Sequence, residues 1–332
     1  MKRILLIATG GTIASGITEE GLKPVLRPED ILRHLPSVSE LCAVECLQLY
    51  DLDSTNLGPD HWLGIAKAVE AHYDAYDGFV VLHGTDTMAY TAAALSYLIQ
   101  NADKPIVLTG AQKPIDTEIT DAKRNLYDSF LYAIEDGSFG VSIVFDGHVI
   151  AGTRARKIRS KSWNAFSSID FPDLAVIRGG RVVRYIRDDQ PVGNLHFSHE
   201  LCRKVFVLKL IPGLDAGIFA YLKTRYDALI IESFGVGGIP CYGNDDFMDA
   251  IGDWVASGRL LVMTTQVPHE GSDMGVYRVG LRLRETYEVL ECYDMTPEAT
   301  LTKLMWIMGE TTDFDEIKRR FYTPIGHDLI EA

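Results

Sequence analysis

Short apolar runs recur along this chain, and each stops at a cluster of glycine, hydroxyl or carboxyl residues, a pattern that restricts it to sheets built from βα units. Ile4 to Ala8 leads into Thr9-Gly10-Gly11-Thr12-Ile13-Ala14, and Phe79 to Leu82 leads into His83-Gly84-Thr85-Asp86-Thr87-Met88. Between such runs, stretches 59–72, 86–100 and 121–134 carry apolar residues at helical spacing, with Pro59 suited to a first helical turn. Strands are predicted over 3–8, 43–50, 78–82, 105–109 and 141–145, so both threonine loops fall at carboxyl ends of parallel strands, where open α/β sheets hold their ligands. The rhythm breaks over 149–168. It resumes with strands 205–210, 228–232 and 260–264 and helices 245–256, 297–308 and 313–321, the second capped by Thr296. The polar stretch with Pro191 and Gly193 reads as a linker over 188–204, which separates domains 1–187 and 205–332.

A chain of 332 residues exceeds the usual size of a single core, consistent with two domains. Its formal net charge of -14 repels phosphate backbones and anionic bilayers, which makes nucleic acid and membrane poor partners. No run approaches the roughly 18 apolar residues of a membrane span, and the first apolar run is too short for a signal peptide, so a cytoplasmic location is expected. The five cysteines are scattered with no C-x-x-C pair, and are expected to be reduced thiols, most of them buried. No metal site is expected: His196-x-x-His199 and His269-Glu270 lack ligand spacing and read as surface histidines.

Two glycines before Thr12 permit a sharp turn and leave amide N–H groups uncovered, which suits a hydroxyl nucleophile beside a developing oxyanion. A structural turn alone would also account for Gly10 and Gly11, and neither G-x-G-x-x-G nor G-x-x-x-x-G-K-[ST] is present. Thr85 or Asp86 could be a simple helix cap, but a cap needs only one such residue. With Asp51-Leu52-Asp53-Ser54-Thr55-Asn56, three loops on one sheet edge describe a pocket for a small zwitterion. The basic stretch from Thr153 to Lys161 reads first as internal salt bridges or a subunit contact, though a single lysine from it could do chemistry. Burial favours a neutral lysine amine and a neighbouring aspartate favours the ammonium, so Lys157 beside Asp86 is a question of balance.

These loops, with Thr109-Gly110-Ala111-Gln112 and Asp294-Met295-Thr296-Pro297-Glu298-Ala299-Thr300, resemble the bacterial-type L-asparaginases, most closely their cytoplasmic type I branch. The resemblance covers nearly the whole chain and implies an α/β fold of two domains with parallel sheets, a larger N-terminal flavodoxin-like one and a smaller C-terminal one. It further implies hydrolysis of L-asparagine to L-aspartate and ammonia without cofactor or metal, in a homotetramer formed as a dimer of dimers. Thr12 matches the nucleophile, and Thr85, Asp86 and Lys157 the accompanying catalytic group. Gly11, Asp53, Ser54, Thr55 and Ala111, together with Thr85 and Asp86, match substrate-binding positions, Ser54 on the α-carboxylate side and Asp86 on the α-ammonium side. Many relatives carry a tyrosine shortly after the nucleophile, where this chain has Leu22. Either Lys157 acting through Thr85 supplies the base, or a tyrosine enters from elsewhere, with Tyr50, Tyr90, Tyr242 and Tyr277 as candidates. Some relatives also bind a regulatory asparagine near an arginine and a cysteine, where this chain has Glu232 and Val267, so uncoupled sites are expected. Rival readings are a dual asparaginase/glutaminase, the related component of a glutamyl-tRNA amidotransferase, which carries an added N-terminal domain, and an amino-acid sensor on the same fold.

Overall fold

The computed structural model describes residues 1–18, 21–24, 26–186, 191, 193–241 and 245–330, with backbone alone at 17, 18 and 21–24. It forms two compact units, Met1–His199 with Ile325–His327, and Glu200–Pro324 with Asp328–Ala332.

The first unit is organised around an eight-stranded sheet. Its order is Arg181–Val183, Ala175–Arg178, His148–Ala151, Gly140–Phe145, Pro105–Thr109, Gly78–Leu82, Arg3–Gly10 and Ala43–Leu52. The last five run parallel, as the βα rhythm predicts. Gly78–Leu82 and Pro105–Thr109 lie at the centre and are buried throughout, which is why they read as unbroken apolar runs. Three further strands extend the sheet antiparallel, so it is mixed rather than purely parallel. Two of the three reversals are made at Asp146-Gly147 (φ 50° and 79°) and Gly179-Gly180 (φ 56° and 70°), two-residue turns with both positions left-handed that match the twist of their flanking strands.

Helix Pro59–His72 falls where predicted. The 86–100 helix is shorter, Met88–Leu98, because Ile99–Gln100 leaves it to pair antiparallel with His196–Phe197, inside the segment read as linker. The residue flanking its start is Thr87, with no side-chain cap bond, so neither Thr85 nor Asp86 serves as a cap.

The second unit holds four parallel strands in the order Val205–Lys209, Ala228–Ser233, Leu260–Thr265 and Leu290–Glu291. Trp254, fully buried on helix Asp246–Ala256, packs edge-on against Phe219 and donates its indole N–H to the Leu260 carbonyl at 2.8 Å. Thr296 caps helix Pro297–Glu310 by accepting from the Ala299 amide. All five cysteines are free thiols, but only Cys42 and Cys292 are buried, so the expectation that most are buried fails. Among the described residues no helix is long and apolar enough to cross a membrane.

Candidate active site

Glycine backbones lock the loops at the carboxyl edge of the first sheet together. A Cβ on Gly11 (φ 83°) would sit 2.5 Å from the Gly84 nitrogen and 2.6 Å from its Cα. One on Gly84 would sit 2.6 Å from Ser54 Oγ, and one on Gly110 would strike the His83 carbonyl. Only hydrogen at these positions lets the loops carrying Thr12, Ser54, Thr85 and Ala111 close on one another.

Thr12 opens a one-turn 3-10 helix, Thr12–Ala14, and is half-buried. The Gly11 amide donates to the Leu52 carbonyl at 3.0 Å, so it is not one of the uncovered N–H groups expected there. Thr85 is 6% exposed. Its hydroxyl accepts from Lys157 Nζ at 2.7 Å and donates to Gln112 Oε1 at 3.2 Å. Lys157 Nζ also donates to Asp86 Oδ1 at 2.7 Å, an ion pair in which the lysine side chain is 15% exposed and the aspartate 61%. The structure thus joins Thr85, Asp86 and Lys157 directly, across a long stretch of sequence.

Lys157 ends strand Ala155–Lys157, which pairs antiparallel with Phe166–Ser168. The basic stretch divides by role. Arg154 is fully buried, donates to the His327 carbonyl and stacks on Phe171, an internal structural use, whereas Lys157 faces the loops.

Ser54 is buried, and its carbonyl accepts from the Thr87 hydroxyl at 2.7 Å. Asp53 caps the Ser54–Asn56 turn, its Oδ1 accepting from both the amide and the hydroxyl of Thr55 at 2.8 Å. Asp53 and Thr55 therefore shape the turn through each other. Ala111 is buried at 1% exposure.

Two contributors have no separate signal in the sequence. Gln112 orients the Thr85 hydroxyl while its amide donates to the Ser162 carbonyl at 3.1 Å, and its backbone is held by Asp121, which accepts from the Gln112 and Lys113 amides. His83, fully buried, bonds the Gly84 carbonyl through Nδ1 at 2.7 Å and Thr91 Oγ1 through Nε2 at 2.8 Å. Burial pushes its pKa down to about 4, so a neutral imidazole braces the loop from beneath.

Of the candidate tyrosines, Tyr50 packs edge-on against His61 at 4.9 Å, with its hydroxyl over Gly64 of the Pro59–His72 helix. Tyr277 is exposed, Tyr90 lies in the first turn of helix Met88–Leu98, and Tyr242 and the Leu22 side chain lie outside the described residues. His196, His199 and His269 are exposed. Among the described residues no group of three or more His, Cys, Asp or Glu is placed to hold a metal.

Residues 3–190 match the family profile described as Asparaginase, N-terminal, and residues 204–321 match the Glutaminase/Asparaginase C-terminal domain. The L-asparaginase of Thermococcus kodakarensis is 40% identical over 320 residues, covering 96% of each chain. A component of the glutamyl-tRNA(Gln) amidotransferase of Metallosphaera sedula is 35% identical over 336 residues, 97% of this chain and 75% of that one. The solved structure of the thermostable L-asparaginase from Thermococcus kodakarensis superposes with a TM-score of 0.92 at 37% identity, over 99% of this chain and 100% of that chain. Taken with the interlocked threonine loops, the two consecutive profile matches and the shared fold establish that this chain belongs to the asparaginase family.

Proposed function

We propose that this chain hydrolyses L-asparagine to L-aspartate and ammonia with Thr12 as nucleophile and without a cofactor. The observation that carries this reading is the backbone contact of Gly11 with Gly84, which brings the Thr12 loop against a Thr85 hydroxyl already bonded to Lys157 Nζ at 2.7 Å. In this reading Thr12 and Thr85 flank the scissile amide. Asp86, exposed enough to be reached, takes the α-ammonium, and Ser54, Thr55 and Asp53 receive the α-carboxylate, with Gly11 and Ala111 walling the pocket. Thr12 Oγ1 bonds to the side-chain carbonyl carbon, and the C–N bond breaks. The nitrogen leaves as ammonia carrying the proton taken from Thr12. Water then cleaves the β-aspartyl ester and returns a proton to Thr12, with Lys157 and Thr85 as the relay. Backbone N–H groups hold the oxyanion, and because the Gly11 amide is engaged by Leu52 it is not among them.

Ammonia release from L-asparagine and L-glutamine, measured side by side, tests the proposal. Turnover of asparagine is expected; release from neither amide overturns it, and a higher kcat/KM for glutamine reassigns the substrate. One methylene is worth only about 1–3 kcal/mol in such a pocket, so both arms are needed. We extend the proposal to a cytoplasmic homotetramer arranged as a dimer of dimers, which a light-scattering mass of four chains would support.

A further inference from the structure

The second unit contains a cavity of about 320 Å³ between helix Arg278–Thr286, strand Leu290–Glu291 and helix Phe314–Phe321. The most buried polar residue lining it is Glu291, 3% exposed. Glu291 Oε1 accepts from the Met274 amide at 2.6 Å; Oε2 has no donor in good hydrogen-bond geometry among the described residues, with the Ser272 hydroxyl near the carboxylate and Arg284 Nη1 4.0 Å from Oε2. A buried carboxylate oxygen left without a donor is costly, by about 1–3 kcal/mol or more, unless a partner supplies one. Tyr322, on the same wall, accepts from the Glu291 amide at 2.9 Å, so its own proton remains available, and burial pushes its pKa up to about 12. The Tyr293 and Tyr322 rings lie 5.9 Å apart, and Phe314 closes the apolar side. Two cations, Arg284 and Lys318, are balanced by Glu288 and Glu291, which favours a ligand carrying one charge of each sign over a polyanion.

We propose that this cavity binds a free α-amino acid with an aromatic side chain, its ammonium on Glu291 Oε2, its carboxylate on Arg284 and Lys318, and its ring among Tyr293, Phe314 and Tyr322. An α-amino acid carries both charges on one carbon, which suits a cation and a carboxylate oxygen only 4.0 Å apart. Burial pushes the Glu291 carboxyl up, against the pull of the Met274 amide, Arg284 and Ser272, and a ligand ammonium would reinforce that pull. The ring-lined side offers little to a short polar side chain such as that of asparagine, so this site is distinct in chemistry from the proposed catalytic pocket.

Calorimetric titration of L-phenylalanine into the full chain, with L-aspartate present to fill the catalytic pocket, tests this. Binding is expected to persist, and 3-phenylpropionate, which lacks the ammonium, and phenethylamine, which lacks the carboxylate, should each bind at least about tenfold more weakly, the loss of one charge-assisted contact. Glu291→Gln should weaken phenylalanine to a similar extent. Lys318→Met, at an exposed position that leaves the fold alone, should weaken it several-fold. Absence of binding at millimolar phenylalanine, elimination by aspartate, indifference to the missing ammonium, or affinity unchanged in Lys318→Met would overturn the proposal.

Discussion

The two sheets of this protein end in different ways at their carboxyl edges. In the second unit Ser233, Thr265 and Gln266 there spend their side-chain donors on backbone. Ser233 Oγ donates to the Thr264 carbonyl at 2.7 Å, Thr265 Oγ1 donates to the Gly235 carbonyl, and Gln266 Nε2 donates to the Leu210 and Glu232 carbonyls. Thr9 and Thr109 do the same in the first unit, donating to the Leu82 and Val144 carbonyls. Beyond them, however, Thr85, Asp86 and Lys157 bond side chain to side chain, and Thr12 has no hydroxyl partner among the described residues. Hydroxyl residues at strand ends therefore do not by themselves make a site. What separates the edges is whether those groups bond to backbone or to one another, and in the first unit Thr85, Asp86 and Lys157 do the latter.

The largest expected effect lies in Thr12 and the side chains that bond to one another beside it. Thr12→Ala should lower asparagine turnover by on the order of 10⁴-fold or more while the circular dichroism spectrum and thermal midpoint stay unchanged, since the residue contributes chemistry rather than core. Substantial residual activity would remove Thr12 from the nucleophile role. Lys157→Met keeps the aliphatic stem and deletes the amine, so a loss of about 10²–10⁴-fold in kcat is expected. An effect within about tenfold would place the base elsewhere, and phenylalanine substitutions at Tyr90 and Tyr242 would then be the next variants to assay.

A pair of glycine variants sharpens the contrast between the edges. Gly11→Ala must accept φ 83° and a Cβ 2.5 Å from the Gly84 nitrogen, whereas Gly235→Ala in the second unit has φ 53° and open space around it. The first should cost about 3 kcal/mol or more by adding backbone collision to conformational strain, and the second about 1–2 kcal/mol from handedness alone. Urea denaturation midpoints decide this. Equal costs would mean that the loop contact does not constrain the first unit.

The legible part of this molecule was the part specified by local chemistry. Central strands read correctly because burial on both faces demands continuous apolar residues, and helix 297–310 was marked by its Thr296-Pro297 start. The antiparallel extension had a signal, Asp146-Gly147 between apolar runs, which is a strong hairpin marker that the βα rhythm obscured. Ile99–Gln100 and His196–Phe197 are too short to carry any periodicity. At the site, residue types located Thr85, Asp86 and Lys157, but not what Gln112 does. Nor could they show that Leu52 consumes the Gly11 amide, because hydrogen-bond satisfaction depends on which distant backbone comes close.

Satisfaction is also uneven within the first unit. Asp121 collects several donors, but Asp128, with its side chain 8% exposed, has only Arg124 Nε 3.5 Å from Oδ2 among the described residues. Burial pushes the Asp128 pKa up to about 6 from 3.8, partly opposed by Arg124. A raised acid means the folded state holds its proton longer than the unfolded chain, so the penalty is absent below about pH 3.8 and grows as pH rises through about 6. Asp128→Asn should therefore stabilise the protein by about 1–3 kcal/mol at pH 8 and hardly at all at pH 4. A gain independent of pH would show that packing, not charge burial, is what the substitution changes.

The smallest expected effect concerns coupling, and it returns to the edge of the second sheet. Relatives that respond to a second asparagine are expected to hold it with an arginine and a thiol, and the corresponding positions here are Glu232 and Val267. Glu232 Oε2 lies 4.0 Å from Lys209 Nζ, which offsets part of its charge, but the group at this position is still a carboxylate and cannot grip the effector's own carboxylate as an arginine would. Val267 is 45% exposed with no polar group to offer, and its amide already donates to Thr265 Oγ1 at 3.0 Å. An effector shifts a population only by binding one state better than another, and these side chains supply no such preference. Initial rates should follow a hyperbola in asparagine, with a Hill coefficient near one as uncoupled sites require, and Glu232→Gln should leave that shape unchanged. Sigmoidal saturation that Glu232→Gln or Val267→Ala abolishes would show that this edge, for all its internally spent hydrogen bonds, still receives a ligand.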